Sequence, residues 1–196
     1  AAYELTGDTA YLELLSSRLE LFEKILSRQT DDYLGWYGNA IDMRKADMLP
    51  GKMIDELQCS FRGIGLFARW IELANSNPEY AKKNRAVIDA RIALLTGHFF
   101  PKWDARGFYA QIPGRGGVYH GLDFPSRWDT TLSHEKLSIA VDGLLKLHRI
   151  TGDDQYLKRV LEIGTWFKSC LQLKDGHYEW MSWSPAGRWD IAPDKE

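Results

Sequence analysis

Two short stretches of the sequence place ionisable side chains where two apolar helices are predicted to start. The first stretch, "MIDELQCSFR", contains Asp55 and Glu56, and the second, "TTLSHEKLS", contains His134 and Glu135. Two carboxyl groups, or a carboxyl group and an imidazole, can share acid–base work when one is protonated and the other is not. Cleavage of a glycosidic bond needs that division: one group protonates the leaving oxygen, and the other activates water or attacks the sugar.

The same residues also have a purely structural explanation. Acidic side chains are stabilised by the positive end of the helix dipole wherever a helix begins, and Ser133 fits the position of an N-cap. His134 fits this explanation less well, because a protonated imidazole is unfavourable at a helix N-terminus. The sequence leaves both explanations open.

A second candidate for acid–base chemistry is the glycine-flanked segment "GGVYHGLD", which contains Tyr119 and His120. A tyrosine and a histidine can carry the proton that a lyase removes next to the carboxylate of an acidic sugar. Arg127 or Arg62 would then neutralise that carboxylate. The alternative is that Tyr119 and His120 are ordinary loop residues.

Aromatic residues are the most unusual feature of the composition, since they make up 13% of the chain and include eight tryptophans. Many lie outside the predicted helix interiors. The C–H faces of sugar rings stack on aromatic planes, but aromatic side chains also commonly pack loops onto helices. We expect two or three aromatic residues to contact a ligand. The substrate-binding candidates are Trp36, Tyr37, Trp103, Trp128, Trp180 and Trp183, together with Tyr119, His120, Arg62 and Arg127.

Hydrophobic residues that recur with a period of 3.6 predict five helices, over residues 9–28, 53–75, 78–98, 131–150 and 154–173. The second and fourth are apolar around more of their circumference, which predicts buried inner helices alternating with partly exposed outer ones. Long aromatic connections follow the outer helices, and short corners follow the inner ones. The segment "GFYAQIPGRGGVYHGL" alternates around a glycine turn and predicts a short β-hairpin.

The phrase T-G-D-x-x-Y-L occurs twice, as "TGDTAYL" from Thr6 and as "TGDDQYL" from Thr151. A glycine just past a helix can close the open carbonyls, and an aspartate can cap the next helix, so the phrase predicts a tight helix–helix corner. Aligning the two threonines also aligns Tyr11 with Tyr156, Phe22 with Phe167 and Tyr33 with Tyr178. With a degenerate third copy from "PEYA", the repeat of roughly 70 to 76 residues indicates a helical array.

With its "RITGDDQYL" corners and loops such as "DGHYEW", the chain resembles the (α/α)6 toroids of carbohydrate-active enzymes. That group includes six-hairpin glycosidases, N-acylglucosamine 2-epimerases and several polysaccharide lyases. The resemblance covers residues 1–196 as architecture and selects no single family. It implies an all-α fold with one domain of about two and a half hairpins, which is a partial toroid. It also implies an active site at the mouth where the long connections gather.

Composition excludes several other classes of partner. A net charge of -2 without a basic run excludes a nucleic-acid surface, and no apolar run reaches the ~20 residues that span a membrane. Cys59 and Cys170 match no metal-ligand spacing, so we expect neither a metal nor a cofactor. An isolated arc of the toroid would expose apolar faces of its inner helices, which predicts self-association. The compartment stays open among periplasmic, extracellular and cytoplasmic.

Three hypotheses follow for the function. The first is a carbohydrate-active enzyme that hydrolyses glycosidic bonds of an oligo- or polysaccharide with Asp55, Glu56, His134 and Glu135. The second is a uronate lyase or a sugar epimerase that uses histidine and tyrosine as proton carriers. The third is a helical-repeat binding module without catalysis.

Overall fold

The computed structural model describes residues 2–28, 32–36, 41–42, 47–48, 57–119 and 134–180. This part of the chain is mostly helical, which confirms the predicted all-α class. The helices are α1 Ala2–Thr6, α2 Ala10–Lys24, α3 Leu57–Asn75, α4 Pro78–Lys83, α5 Arg85–Leu94, a π-helical turn Leu95–Phe99, α6 Pro101–Ala105, α7 His134–Thr151 and α8 Asp154–Ser169. The strands pair as antiparallel hairpins: β1 Ser27–Arg28 with β2 Leu34–Gly35, β3 Ile41–Asp42 with β4 Asp47–Met48, β5 Tyr109–Ile112 with β6 Gly116–Tyr119, and β7 Leu171–Lys174 with β8 His177–Trp180.

The two T-G-D corners are built from the same hydrogen bonds. The N–H groups of Gly7 and Gly152 each donate to the carbonyl four residues earlier, both at 2.7 Å. Oδ1 of Asp8 and of Asp153 each accepts from the N–H two residues later, both at 2.9 Å. The glycine φ angles are 70° and 71°, in the left-handed region that glycine adopts without steric cost. The predicted corner is confirmed in both copies.

Three of the five predicted helices differ from the structure. The helix predicted over residues 9–28 ends at Lys24, and Ser27–Arg28 instead form β1, which pairs with β2. The helix predicted over residues 78–98 is divided into α4, α5 and the π-helical turn, with a break at Asn84. The helix predicted to continue to Leu173 ends at Ser169 instead, because β7 follows it and pairs with β8. A turn at Asp175 and Gly176, both at positive φ, connects these strands. The hairpin predicted within residues 107–122 is confirmed as β5–β6.

The helices α3 and α7 pack side by side and run in the same direction. A Cβ added to Gly143 of α7 would lie 3.1 Å from the carbonyl oxygen of Phe61 of α3. Further along the pair, Nε of Arg149 lies 2.6 Å from Oε1 of Glu72. Residue numbers therefore rise together along both helices, so α3 and α7 start at the same end of the fold.

The helices α2 and α8 run against this pair. The indole of Trp70 donates to the carbonyl of Leu12 at 3.1 Å, while the ring of Trp36 lies between Phe22 and Phe67, near the other end of α2. Residue numbers therefore rise in opposite directions along α2 and α3. The corner after Thr151 reverses the chain into α8 in the same way. Helix directions thus alternate, and the outer helices α2 and α8 end where α3 and α7 begin.

A buried arginine joins α2, α3 and α5. The side chain of Arg91 is 2% exposed, and its Nε lies 2.6 Å from Oε1 of Glu23. Its Nη atoms donate to the hydroxyl and the carbonyl of Ser16 at 3.0 and 3.2 Å. The guanidinium also lies 4.3 Å from the ring centroid of Trp70. A buried charge is tolerated when it is paired and hydrogen-bonded in this way, and the cation–π contact adds to it.

We expect Arg91→Met to lower the free energy of unfolding by about 3 kcal/mol, because it leaves the partly buried carboxylate of Glu23 without its partner. Urea denaturation would measure the change. Arg85→Met is the matched control on the same helix, since Arg85 pairs with Asp89 in solvent and such exposed pairs contribute about 0.5 kcal/mol or less. An equal decrease in the free energy of unfolding in the two variants would contradict the stabilising role of Arg91.

Candidate functional site in the groove between α3 and α7

An open groove of about 490 Å³ runs along the α3–α7 pair. On α3 it is lined by residues spaced i, i+3, i+4 and i+7, which share one helix face. On α7 it is lined by residues that lie about one turn apart. The lining residues are Arg62, Gly65, Leu66, Arg69, Ser138, Ile139, Asp142 and Lys146.

The cations of the groove differ in how they are paired. Nζ of Lys146 contacts the carboxylate of Asp142 one turn earlier on α7. Arg69 contacts two carboxylates, those of Glu4 and Glu72, and these hydrogen bonds raise the pKa of its guanidinium. Arg62 is exposed and has neither an ion pair nor a hydrogen bond in the described part of the chain. Arg62 is therefore the groove cation best placed to bind a ligand's oxygen atoms.

The other end of the groove is a line of alternating charges across three helices. The carboxylate of Glu72 accepts from Arg149 of α7 at 2.6 Å and from Arg69 of α3 at 3.2 Å. Arg69 in turn reaches Glu4 of α1. An adjoining pocket of about 540 Å³ is lined by Arg69, Glu72, Asn75, Ser76, Arg149 and Ile150. Because these charges neutralise one another, they join the helix ends and leave little charge for a ligand.

Two of the four candidate catalytic residues lie at the end of the fold where α3 and α7 begin. His134 and Glu135 are the first two residues of α7. Asp55 and Glu56 directly precede Leu57, the first residue of α3, and lie outside the described residues. Of the substrate-binding candidates, Trp180 is the last residue of β8. Tyr37, His120, Arg127, Trp128 and Trp183 also lie outside the described residues.

Trp36 and Trp103 were candidates for stacking on a sugar, but both are core residues. The ring of Trp36 lies against α3 so closely that a Cβ added to Gly63 would be 2.2 Å from it. Its indole N–H donates to the carbonyl of Phe22 at 2.8 Å. Trp103 is 1% exposed and packs against Phe108. Since protein atoms cover both indoles, packing of the connections explains these residues and sugar stacking does not.

A buried lysine, which the sequence did not predict, binds the connection that follows α2. Nζ of Lys102 donates to the carbonyl of Leu34 at 3.1 Å, and Nδ1 of His98 accepts from the Leu34 N–H at 3.3 Å. The lysine is fully buried, with its ammonium 5.3 and 5.2 Å from the ring centroids of Phe99 and Trp103. The signal in the sequence was a lysine enclosed by aromatic residues in "FFPKW", a setting that favours cation–π contact.

Tyr119 was a candidate proton carrier, but its hydroxyl is buried. Nη1 of Arg159 donates to this hydroxyl at 3.0 Å, and both Nη atoms contact the carboxylate of Asp104 at 2.8 and 2.7 Å. The guanidinium lies 3.4 Å from the ring centroid of Tyr109, whose hydroxyl donates to Glu162. Burial raises the pKa of both tyrosines above the ordinary value. This cluster fastens β5–β6 to α8 and corrects the proposed acid–base role of Tyr119.

These buried tyrosines predict a loss of stability at alkaline pH. An unfolded tyrosine ionises near pH 10, whereas burial keeps Tyr109 and Tyr119 neutral in the folded chain. Above that pH the unfolded chain loses protons that the folded chain retains, so the free energy of unfolding falls as the pH rises. Urea denaturation between pH 8 and 11 should show this decline, and Tyr119→Phe should make it shallower. The same slope in both proteins would contradict the burial of this hydroxyl.

The described residues contain no cluster of three His, Cys, Asp or Glu that could hold a metal ion. Within the same residues, no helix has both the length and the hydrophobicity required to cross a bilayer. Comparison of the chain with family models, curated proteins and solved structures gives no match.

Proposed function

We propose that this chain is an arc of an α/α toroid and that it hydrolyses glycosidic bonds of an oligo- or polysaccharide. The observation that carries the proposal is the parallel packing of α3 and α7, with α2 and α8 antiparallel to them. This alternation of inner and outer helices is the one expected of a toroid. It brings the starting points of the two inner helices together at one end of the groove.

The two charged stretches of the sequence belong to these starting points. Asp55 and Glu56 immediately precede α3, and His134 and Glu135 open α7. In the proposed reaction, a carboxylic acid from one stretch protonates the leaving oxygen of the glycosidic bond. A carboxylate or imidazole from the other stretch activates water or attacks the sugar.

The groove supplies binding groups of the kind that a sugar requires. The guanidinium of Arg62, which has no ion pair among the described residues, can donate to hydroxyl or carboxylate oxygens of the substrate. Leu66 and Ile139, on opposite walls, offer apolar surface to the C–H faces of a pyranose ring. In this proposal the paired charges of Arg69 and Glu72 hold the helices together.

The alternative reactions receive less support from the described residues. A lyase or an epimerase was expected to use Tyr119 and His120, and the Tyr119 hydroxyl is enclosed by Arg159 and the surrounding rings. A binding module would use the same groove without turnover, so an activity measurement separates it from the hydrolase.

The test is hydrolysis of a panel of neutral and acidic oligosaccharides, followed by the appearance of new reducing ends. We expect Glu56→Gln and Glu135→Gln each to lower kcat by about a hundredfold or more, because each removes one partner of the acid–base pair. Arg62→Gln should raise KM with little change in kcat, because its contact is made equally before and during the reaction. Glu79→Gln is the matched control, since Glu79 is an exposed acid in the first turn of α4.

Three outcomes would contradict the proposal. An unsaturated, ultraviolet-absorbing product would assign the chain to lyase chemistry. Binding of an oligosaccharide without any turnover would favour the binding module. Losses of activity as large in Glu79→Gln as in the other two glutamate variants would remove the special role of Glu56 and Glu135.

A further inference from the structure

The helix α2 has a second apolar face in addition to the one that it buries. Leu12, Ser16 and Leu19 face the core. A different side of the helix, rotated away from these residues, carries large apolar side chains in solvent, with Leu14 54% exposed. We call this side the outer face of α2; it consists of Tyr11, Leu14, Arg18, Leu21 and Phe22, which share one side of the helix.

The repeat-equivalent face of α8 is covered. When Thr6 is aligned with Thr151, the outer face of α2 corresponds to Tyr156, Arg159, Ile163, Trp166 and Phe167. Three of these residues, Tyr156, Ile163 and Trp166, are at most 2% exposed. In the same alignment the buried Ser16 of α2 corresponds to Leu161 of α8, which is 63% exposed, so the two helices bury different faces. The aligned face that is covered on α8 is open on α2.

The cover on α8 comes from the connection that leaves the preceding outer helix. The ring of Phe100 lies 4.9 Å from that of Tyr156, and the ring of Tyr109 lies over Arg159. The backbone of Gly116 fits against α8 so closely that an added Cβ would be 2.3 Å from the carbonyl oxygen of Glu162. Residues 100–119 thus follow α5 in the chain and cover α8.

The connection after α2 also contacts the repeat that follows it, where it binds the segment after α5. Leu34 follows α2, and its N–H and carbonyl bind His98 and Lys102, which follow α5. In both cases the segment that follows one outer helix contacts residues of the next repeat. Of these two contacts, the one made by residues 100–119 covers the next helix itself, and it is the precedent for the interface proposed below.

The hairpin β7–β8 is the segment that leaves α8, as β5–β6 lies in the segment that leaves α5, and it carries exposed apolar side chains that an interface would bury. Leu173 is 66% exposed and Tyr178 is 73% exposed. Tyr178 corresponds to Tyr33 of the connection after α2 in the repeat alignment. Asp175 lies in the exposed turn of the hairpin, and the outer face of α2 carries the exposed Arg18, so the two surfaces also have complementary charges.

We propose that β7–β8 of one copy of this chain docks on the outer face of α2 of a second copy. The proposed contact between two molecules resembles the contact that β5–β6 makes with α8 within one molecule. It joins two different surfaces, so it is heterologous, and association proceeds head to tail. The inference does not depend on the proposed hydrolysis.

Sedimentation velocity of the chain over a range of concentrations tests this proposal. The unaltered chain should associate as its concentration rises. Leu14→Asp and Tyr178→Asp, each at an exposed side chain, should each be monomeric alone. A mixture of the two variants should form dimers and nothing larger, because one copy supplies an intact hairpin and the other an intact α2 face. Val87→Asp adds the same charge at an exposed apolar residue of α5 and should associate as the unaltered chain does.

Charge reversal gives an independent test. Arg18→Glu should weaken association by about tenfold, and Asp175→Arg in the same chain should restore it. Circular dichroism and thermal unfolding would establish that each variant is folded. A monomeric chain at every concentration would overturn the proposal. Symmetric α2–α2 pairing would also overturn it. In that case Leu14→Asp would abolish association, Tyr178→Asp would associate as the unaltered chain does, and mixing the two variants would not bring Leu14→Asp into dimers.

Discussion

The close, parallel contact of α3 with α7 is the constraint on which the rest of the fold depends. Gly143 lets the α7 backbone approach the carbonyl of Phe61. A Cβ at this position would be 3.1 Å from the carbonyl oxygen, which is closer than ordinary van der Waals contact. Two parallel neighbours cannot be joined by a short turn, so the chain must return between them through an antiparallel helix and two connections. The tight corners then lie at one end of the helices, and the long connections begin and finish at the other.

Helices pack against one another where α5 meets α2 and α3, and a connection packs on a helix at α8; an arginine takes part in each contact. Arg91 pairs with Glu23 and stacks on Trp70 where α5 meets α2 and α3. Arg159 pairs with Asp104 and stacks on Tyr109 where α8 meets β5–β6. A planar guanidinium can satisfy a carboxylate at its edge and an aromatic ring at its face together, which a lysine ammonium does less well. The corners allow the helices to reverse direction, and these contacts stabilise the resulting arrangement.

The sequence predicted the features that are determined locally. The T-G-D corners and the β5–β6 hairpin follow from the conformational preferences of glycine and aspartate over a few residues. The burial of Trp36, Trp103 and Tyr119 depends on contacts with distant segments, and exposed and buried aromatic residues have the same local pattern. The strand β7 was missed for a related reason, since "LQLK" continues the apolar spacing of α8 and only its pairing with β8 distinguishes it. Of the candidate site, the two helices α3 and α7 were predictable, whereas the absence of an ion pair at Arg62 among the described residues was not.

The contrast between Arg62 and Arg69 assigns different roles to the two ends of the groove. The two residues lie two turns apart on one face of α3, yet Arg69 has two carboxylate partners and Arg62 has none among the described residues. Arg62 is also nearer to the positive dipole ends of α3 and α7, so this end of the groove favours negatively charged groups. In the proposed hydrolysis, such a field would favour the ionised form of one carboxyl group and oppose the protonated form of its partner acid. The proposed mechanism therefore requires a second effect that keeps the partner acid protonated, and both exclusion of water by the bound sugar and a neighbouring carboxylate act in that direction, because each raises the pKa of a carboxyl group.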